Sequence, residues 1–223
     1  MIMSTENLET IVDSIMSSME TANKAREKAF PLHRLAIRHC SLAVRAVHRG
    51  EFDQARRELL QAQHTLDEIS LLLTPHPEVY YAGFLQDAQK EYAEASLTLA
   101  IITRSPLPAP QDLKVSEAAY VNGLAECVGE LRRHCLDSLR RGELPESERM
   151  LEVMDEIFFH LTTVDFPDAI TRGLRRTTDI ARGCLEKTRG ELTTCHDNQH
   201  LIAEMNQLRS IVQQCSSYPA PNH

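Results

Sequence analysis

The chain has 223 residues and a formal net charge of −8, and 42% of its residues are hydrophobic and 25% charged. These values are ordinary for a globular protein, and the length favours one large domain over two small ones. The negative charge argues against non-specific nucleic-acid binding by the molecule as a whole. Because the chain has neither a run of about 18 apolar residues nor an apolar core near its N-terminus, no membrane span and no signal peptide are expected.

The composition predicts helix along most of the chain. Gly is rare and Trp absent, whereas Ala, Leu, Glu, Arg and Gln, which have high helix propensity, are abundant. Seven helices are predicted, at about 5–48, 52–73, 78–103, 114–141, 146–161, 167–189 and 198–215. The first is expected to bend at Pro31, and the sixth to end at Gly190. Without any useful strand pattern, the sequence predicts an all-α, single-domain bundle over 1–223, with a frayed polar tail at about 216–223.

The six cysteines are scattered and include no C-x-x-C pair. Most lie where a helix face is predicted, and free cysteine in such a place packs as a small hydrophobic residue. The pattern therefore predicts reduced thiols in a cytoplasmic protein. The six are Cys40, Cys127, Cys135, Cys184, Cys195 and Cys215.

The predicted third helix carries acidic residues within its apolar stripe. At 100° per residue, Asp87, Glu91 and Glu94 lie within about 60° of one another, and Glu91 is about 20° from Phe84 and Ile102. Burial of a carboxylate at such a position costs several kcal/mol unless it is protonated, paired or bound to a metal. This stripe therefore indicates a buried acidic site.

The predicted fourth helix carries a second acidic pair. Glu126 and Glu130 are one turn apart on one face, which they share with Ala119 and Gly123. Those two small residues would allow another backbone or a ligand to approach closely. The main apolar stripe, which includes Leu124, is predicted on the opposite side of this helix, so the geometry of the second pair is less clear.

Two carboxylate pairs on neighbouring helices are typical of a site for a hard cation. Mg²⁺ and Mn²⁺ take carboxylate oxygens and water as ligands, and a bound water can then attack a phosphodiester. One alternative is that these glutamates are ordinary exposed helix surface. Another is a ferritin-like di-iron bundle, but that class uses E-x-x-H repeats, and the chain has none.

Residues 24–50 are locally basic, with seven Lys and Arg against one acid, a net of +6. Arg34, Arg38, Arg45 and Arg49 lie within about 60° on one helical wheel, which predicts an arginine ridge that could follow a phosphate backbone. The alternative is a solvated face that forms ion pairs with the acidic second helix. Its partners would be Glu51, Asp53, Glu58, Asp67 and Glu68.

Four segments together resemble one family. They are QKEYAEA at 89–95, YVNGLAECVGELRR at 120–133, the stretch 174–192 that closes on RGE, and the turn AVHRGEFD at 46–53. The chain thereby resembles the translin family over about 25–192, specifically the catalytic subunit translin-associated factor X and its single-gene prokaryotic relatives. The segment at 120–133 is the most specific. The stretch after Leu192 has no recognisable counterpart.

The resemblance implies an all-α fold that assembles into a hollow, octameric shell. The family binds RNA and single-stranded nucleic acid, and its catalytic members are Mg²⁺-dependent endoribonucleases that act inside the shell. Glu91, Glu94, Glu126 and Glu130 stand at the positions of that acidic site. Position 126 departs from the catalytic pattern, which has Asp there.

A basic interior would reconcile the acidic subunit with RNA binding, if the arginine ridge lined the inside of the shell. A non-catalytic oligomer that binds RNA or single-stranded nucleic acid with the same fold is the alternative. Purely binding members of the family lack much of the acidic set, so its presence here favours catalysis.

Overall fold

The computed structural model describes residues 7–216, and within that range it contains helices and no strand. The all-α prediction is therefore confirmed. Nine helices occur in the described range, and three of them are single turns of four residues. In chain order they are α1 Leu8–His48, α2 Phe52–Leu73, α3 Pro77–Tyr80, α4 Phe84–Ile102, α5 Pro110–Leu113, α6 Glu117–Arg140, α7 Leu144–Thr162, α8 Asp168–Thr171 and α9 Leu174–Ser216.

The two central helices are α4 and α6. Helix α4 packs against α1, α2 and α6, and α6 packs against α4, α7 and α9. Most residues of α4 are buried, including Leu85, Leu97 and Thr98, which are fully enclosed. A helix that is buried nearly all round lies inside the core and has no solvent face of its own. Glu91 and Glu94 of α4 are therefore partly buried in the bundle, whereas Asp87, in the first turn of the helix, is exposed.

Helix α6 is anchored at both ends of its length by polar contacts as well as by packing. The Ser116 hydroxyl caps its N-terminus by accepting a hydrogen bond from the Ala119 amide at 3.3 Å. The buried Asn122 amide donates to the Thr171 carbonyl at 2.7 Å and thereby joins α6 to α8. Arg132 makes a bidentate ion pair with Glu191 of α9, both hydrogen bonds measuring 2.8 Å. These contacts hold α6 in a defined position beside α4.

The predicted third helix begins later than expected. The chain forms the single turn α3 and then passes through Gly83, whose φ of +108° interrupts the helix before α4 starts at Phe84. Glycine adopts this backbone conformation without the steric cost that a Cβ imposes. The acidic residues of this segment remain on α4, so the correction leaves their spacing unchanged.

The predicted break at Gly190 is wrong, because α9 continues through it to Ser216. A glycine inside a helix costs only about 1 kcal/mol relative to alanine. The buried residues Thr188 and Leu192 pack on either side of Gly190, and Arg132 pairs with Glu191 just beyond it. Tertiary contacts of this kind outweigh the local preference for a helix end.

The first helix is continuous through Pro31, whose ring is accommodated inside α1. Its predicted start near residue 5 and the frayed tail predicted for 217–223 lie outside the described residues. The cysteines at 40, 127, 135, 184 and 195 are free thiols. No helix of the described range is long and apolar enough to cross a membrane.

Candidate metal centre

The site is built where α4 and α6 approach most closely. A Cβ placed on Gly123 of α6 would lie 2.7 Å from the Lys90 carbonyl oxygen and 2.9 Å from the Glu94 amide nitrogen. Glycine is therefore needed at this position, because any side chain would collide with the backbone of α4. The contact brings the carboxylates of the two helices together, as the small residues at 119 and 123 predicted.

We expect Gly123→Ala to destabilise the protein by about 1–3 kcal/mol, because the added methyl group must push α4 away. Gly129→Ala on the same helix is the matched control. A Cβ at Gly129 meets nothing within 4 Å, so that change should stabilise the helix by up to about 1 kcal/mol. Urea unfolding of both variants measures the difference, and equal midpoints would contradict the close contact.

Three of the four predicted acidic residues form one cluster. Carboxylate oxygens of Glu91, Glu94 and Glu126 all lie within 4.8 Å of one another, and each side chain is partly buried. A cavity of about 280 Å³ borders Glu94 and Glu126, and another of about 280 Å³ borders Glu126 and Asp87. The cluster is therefore enclosed by the helices and still open to small molecules.

Lys90 is the cation nearest to this cluster. Its ammonium group lies 2.8 Å from Glu126 Oε1 and 3.6 Å from Glu91 Oε1, and its side chain is 25% exposed. Burial lowers the pKa of Lys90, but the hydrogen bond to Glu126 and the charges of Glu126 and Glu91 outweigh it, so its pKa is raised. One positive charge thus partly compensates three carboxylates.

Burial and the remaining excess of negative charge both raise the pKa values of two members of the cluster. Burial, followed by the charges of Glu91, Glu126 and Glu130, raises the pKa of Glu94 to about 8. Burial is also the main cause that raises the pKa of Glu91, with Lys90 acting in the opposite direction. At neutral pH the cluster therefore holds a proton at Glu94 that an added cation would displace.

Glu130 lies beside the cluster but has a different partner. Its Oε2 accepts a hydrogen bond from the ring of His48 at a distance of 2.5 Å between Nε2 and oxygen. This hydrogen bond lowers the pKa of Glu130, against the opposing effect of burial. The charge of Glu130 still contributes to the raised pKa of Glu94, so the two carboxylates are neighbours. The structure brings three of the predicted ligands together and places the fourth at their edge.

His48 and Lys90 are the residues of the site that sequence reasoning missed. The side chain of His48 is only 3% exposed, and it reaches Glu130 from the end of α1. Both residues lie within the family-like segments, His48 in AVHRGEFD and Lys90 in QKEYAEA. Their position inside those segments was the available signal, although the pairing itself depends on how α1, α4 and α6 pack.

The donor set fits a hard divalent cation. Carboxylate oxygens are the ligands that Mg²⁺ and Mn²⁺ prefer, whereas zinc and iron sites draw on His or Cys. Among the described residues, Glu91, Glu94 and Glu126 form the one cluster whose spacing could hold a metal ion, and it contains neither His nor Cys. Glu94, Glu91 and Glu126 would hold such an ion.

The four arginines of the predicted ridge are all exposed; three lie on α1, and Arg49 directly follows its last residue. Arg49 forms a bidentate ion pair with Glu51, at 3.0 and 2.7 Å, and Arg34 lies over the Phe30 ring at 5.1 Å. Arg38 and Arg45 make no ion pair within the described range. The alternative of a face paired with α2 thus holds for Arg49 alone, because Glu58 pairs with His39 and Asp67 with Lys114.

Comparison with known structures decides the family. The chain is 32% identical to AfC3PO, a C3PO of the translin type, with a TM-score of 0.75 over 84% of this chain and 97% of that one. The chain belongs to the translin family. AfC3PO in complex with duplex RNA gives the same identity and coverage with a TM-score of 0.77.

Two further proteins, one a solved structure and one a sequence, are similar to this chain. NeC3PO without ligand is 16% identical, with a TM-score of 0.69 over 85% of this chain and 97% of that chain. An uncharacterized protein of Methanocaldococcus jannaschii is 28% identical over 197 residues, which is 87% of each chain. No family model matches the chain. Membership of the translin family leaves the ferritin-like alternative without support.

Proposed function

We propose that this translin-family protein is a metal-dependent endoribonuclease that binds and cleaves RNA inside a hollow homo-octameric shell in the cytoplasm. The observation that carries the proposal is the cluster of Glu91, Glu94 and Glu126, with oxygens within 4.8 Å of one another and Glu130 at its edge. The likeness to AfC3PO, which is described in complex with duplex RNA, supports RNA as the substrate class.

The roles of the residues follow from their positions. Glu91, Glu94 and Glu126 would hold Mg²⁺ (or Mn²⁺), while the hydrogen bond from His48 keeps Glu130 ionised and oriented beside them. When bound, the cation supplies charge neutralisation at a phosphodiester and an activated water. Lys90 lies close enough to the cluster to pair with Glu126 when no cation is present and to contact a phosphate when one is.

Cleavage of a labelled RNA tests the activity directly. We expect cutting in the presence of Mg²⁺ and none in excess EDTA, because the three carboxylates cannot polarise a phosphodiester without a cation. Restoring Mg²⁺ or supplying Mn²⁺ should restore the activity. Cleavage that continues unchanged in EDTA would contradict the metal site, and a monomeric mass in solution would contradict the enclosed shell.

The arginine ridge is proposed to bind the RNA backbone from inside the shell. We expect the triple change of Arg34, Arg38 and Arg45 to Gln to weaken RNA binding at low salt. Because each phosphate contact releases about 0.7–0.9 of a counterion, the loss of three contacts should make the slope of log affinity against log salt shallower by about 2–3. Binding measured by fluorescence anisotropy over a salt series checks this.

The matched control replaces three other exposed arginines, Arg56, Arg140 and Arg175. It changes the net charge by the same amount, so it separates a local ridge from a general loss of positive charge. Equal weakening by both triple variants would contradict the ridge.

The second candidate function is a non-catalytic RNA-binding oligomer of the same fold. The observation that favours it is the ion pair of Lys90 with Glu126, which satisfies one of the carboxylates without a metal. The two functions differ in whether intact RNA is recovered after incubation with Mg²⁺. Recovery of all the RNA, together with unchanged binding, would select the second.

A further inference from the structure

The C-terminal part of α9 carries an apolar stripe that the bundle does not cover. Leu201, Met205 and Leu208 are 58%, 62% and 62% exposed, and Val212 is 55% exposed. These residues lie beyond Leu192, which ends the family-like segments and is the last buried residue of α9 up to position 213.

The exposed stripe lies on the side of α9 opposite to the side that packs against the bundle. The buried residues of α9 keep within about 40° of Leu192 on a helical wheel, whereas the exposed residues lie about 160–220° away from it. Beyond Leu192, His196 of α9 forms a hydrogen bond with Glu148 of α7, at 2.6 Å. The apolar face therefore changes to the opposite side of the helix where the helix leaves the bundle. The buried set is Leu174, Thr178, Ala181, Leu185, Thr188 and Leu192.

The stripe has the spacing of a two-stranded coiled coil. Alternating steps of three and four residues place Asn198, Met205 and Val212 at the first heptad position, a, and Thr194, Leu201 and Leu208 at the fourth, d. Leucine at d with valine at a favours two parallel strands, and a single asparagine at a selects one register and the dimeric state. The stripe therefore has both the apolar and the polar signature of a parallel dimer.

The charges beside the stripe match the same arrangement. Glu204 takes position g and Arg209 takes position e of the next heptad. In a parallel coiled coil, a residue at position g of one helix faces the residue at position e of the next heptad on the other helix. Each helix would therefore place Glu204 against Arg209 of its partner. Five residues apart on one helix, the two side chains do not face each other, and neither makes an ion pair within the described range.

We propose that the C-terminal extension of α9, residues 194–215, forms a parallel two-stranded coiled coil with the same segment of a second copy of this chain. The a and d residues form the buried seam, Asn198 sets the register, and Glu204 pairs with Arg209 of the partner. This interface involves none of the residues of the candidate metal centre, and it does not depend on the proposed activity.

Helix α1 offers a competing partner for the stripe. Leu8, Val12, Ile15 and Met19 are also exposed, at 53%, 43%, 48% and 67%. The positions beside them, however, carry Ile11 and Met16 and no basic residue that could face Glu204. Charge complementarity therefore favours the second copy of α9, and the experiment below distinguishes the two.

Disulfide trapping in the full-length protein tests the geometry. With Cys195 and Cys215 replaced by Ser, Met205→Cys places a thiol at position a, and Ser210→Cys places one at the outward position f. Mild oxidation should give a covalent dimer for Met205→Cys and none for Ser210→Cys. Absence of the dimer, or equal dimer from both variants, would overturn the proposal. Packing of the stripe against α1 would give the former result.

Charge reversal tests the orientation of the two strands. In the Met205→Cys protein, Glu204→Arg or Arg209→Glu alone should lower the yield of covalent dimer, and the double change should restore it. The double variant keeps the net charge of the parent, so restoration reports the specific pair. A double variant as impaired as the singles would exclude the parallel register. Glu204, Met205, Arg209 and Ser210 are all exposed, and circular dichroism checks that the helical fold is retained.

Discussion

Glu126→Gln is expected to reduce Mg²⁺-dependent RNA cleavage by about 100-fold or more, because the change removes a charged ligand from the cluster of three carboxylates. Glutamine keeps the size of the side chain and can still accept a hydrogen bond from Lys90, so the α4–α6 contact should survive. RNA binding should change little. Single-turnover cleavage of a labelled RNA measures the effect separately from binding.

Two controls make this result specific. Glu152→Gln on α7 is an exposed change of the same chemistry and should leave the rate unaffected. Glu126→Asp introduces the residue type of the catalytic pattern and withdraws the carboxylate by about 1.5 Å. It should retain activity if the cluster tolerates both lengths. A Glu126→Gln protein that cuts RNA at the native rate would show that this carboxylate is not part of the site.

Glu94→Gln is expected to stabilise the metal-free protein at neutral pH and to abolish stabilisation by Mg²⁺. The pKa of Glu94 is about 8 in the folded protein and 4.5 as the ordinary value. Between these values the folded state holds a proton that the unfolded chain has lost, so the free energy of unfolding falls as pH rises. Because glutamine does not ionise, the Glu94→Gln protein should not show this fall in the free energy of unfolding. A gain of about 1–3 kcal/mol corresponds to a rise in Tm of roughly 2–12 °C for a protein of this size.

Thermal unfolding from pH 5 to 9, with and without Mg²⁺, measures this effect. In the native protein, stabilisation by Mg²⁺ should grow as pH rises toward 8, because the cation competes with the proton on Glu94. Glu130→Gln is the contrasting variant. Since the hydrogen bond from His48 lowers the pKa of Glu130, its contribution is present above the ordinary value and is lost as pH falls. Its removal should therefore destabilise the protein at neutral pH.

Glu91 and Glu94 illustrate how much of the candidate site could be predicted from the sequence. The spacing of Glu91 and Glu94 placed both on one face of a helix, and the small residues at 119 and 123 indicated a close approach. The structure confirms the approach at Gly123. Wheel position alone favoured Glu91 as the buried member. In the structure, burial, followed by the charges of Glu91, Glu126 and Glu130, raises the pKa of Glu94 to about 8, whereas Lys90, 3.6 Å from Glu91, opposes the rise in the pKa of Glu91.

Some helix boundaries could likewise be predicted from the sequence, and others depend on tertiary contacts. The strong local signals, such as Arg49-Gly50 after α1 and Gly142 after α6, end helices as predicted. Gly190 carries a similar signal and does not end α9, because contacts to α6 on either side of it outweigh a local preference of about 1 kcal/mol. A local rule holds here where no tertiary contact opposes it.

The sequence by itself determined the all-α class, the acidic and basic helix faces and the heptad spacing of the C-terminal extension, since each is a periodicity within one helix. The tertiary structure decided which carboxylates meet. It joined Glu126 to Glu91 and Glu94, assigned Glu130 to His48 and placed Lys90 among them. These pairings connect residues up to 82 positions apart, and only the packing of α1, α4 and α6 into one core sets such distances.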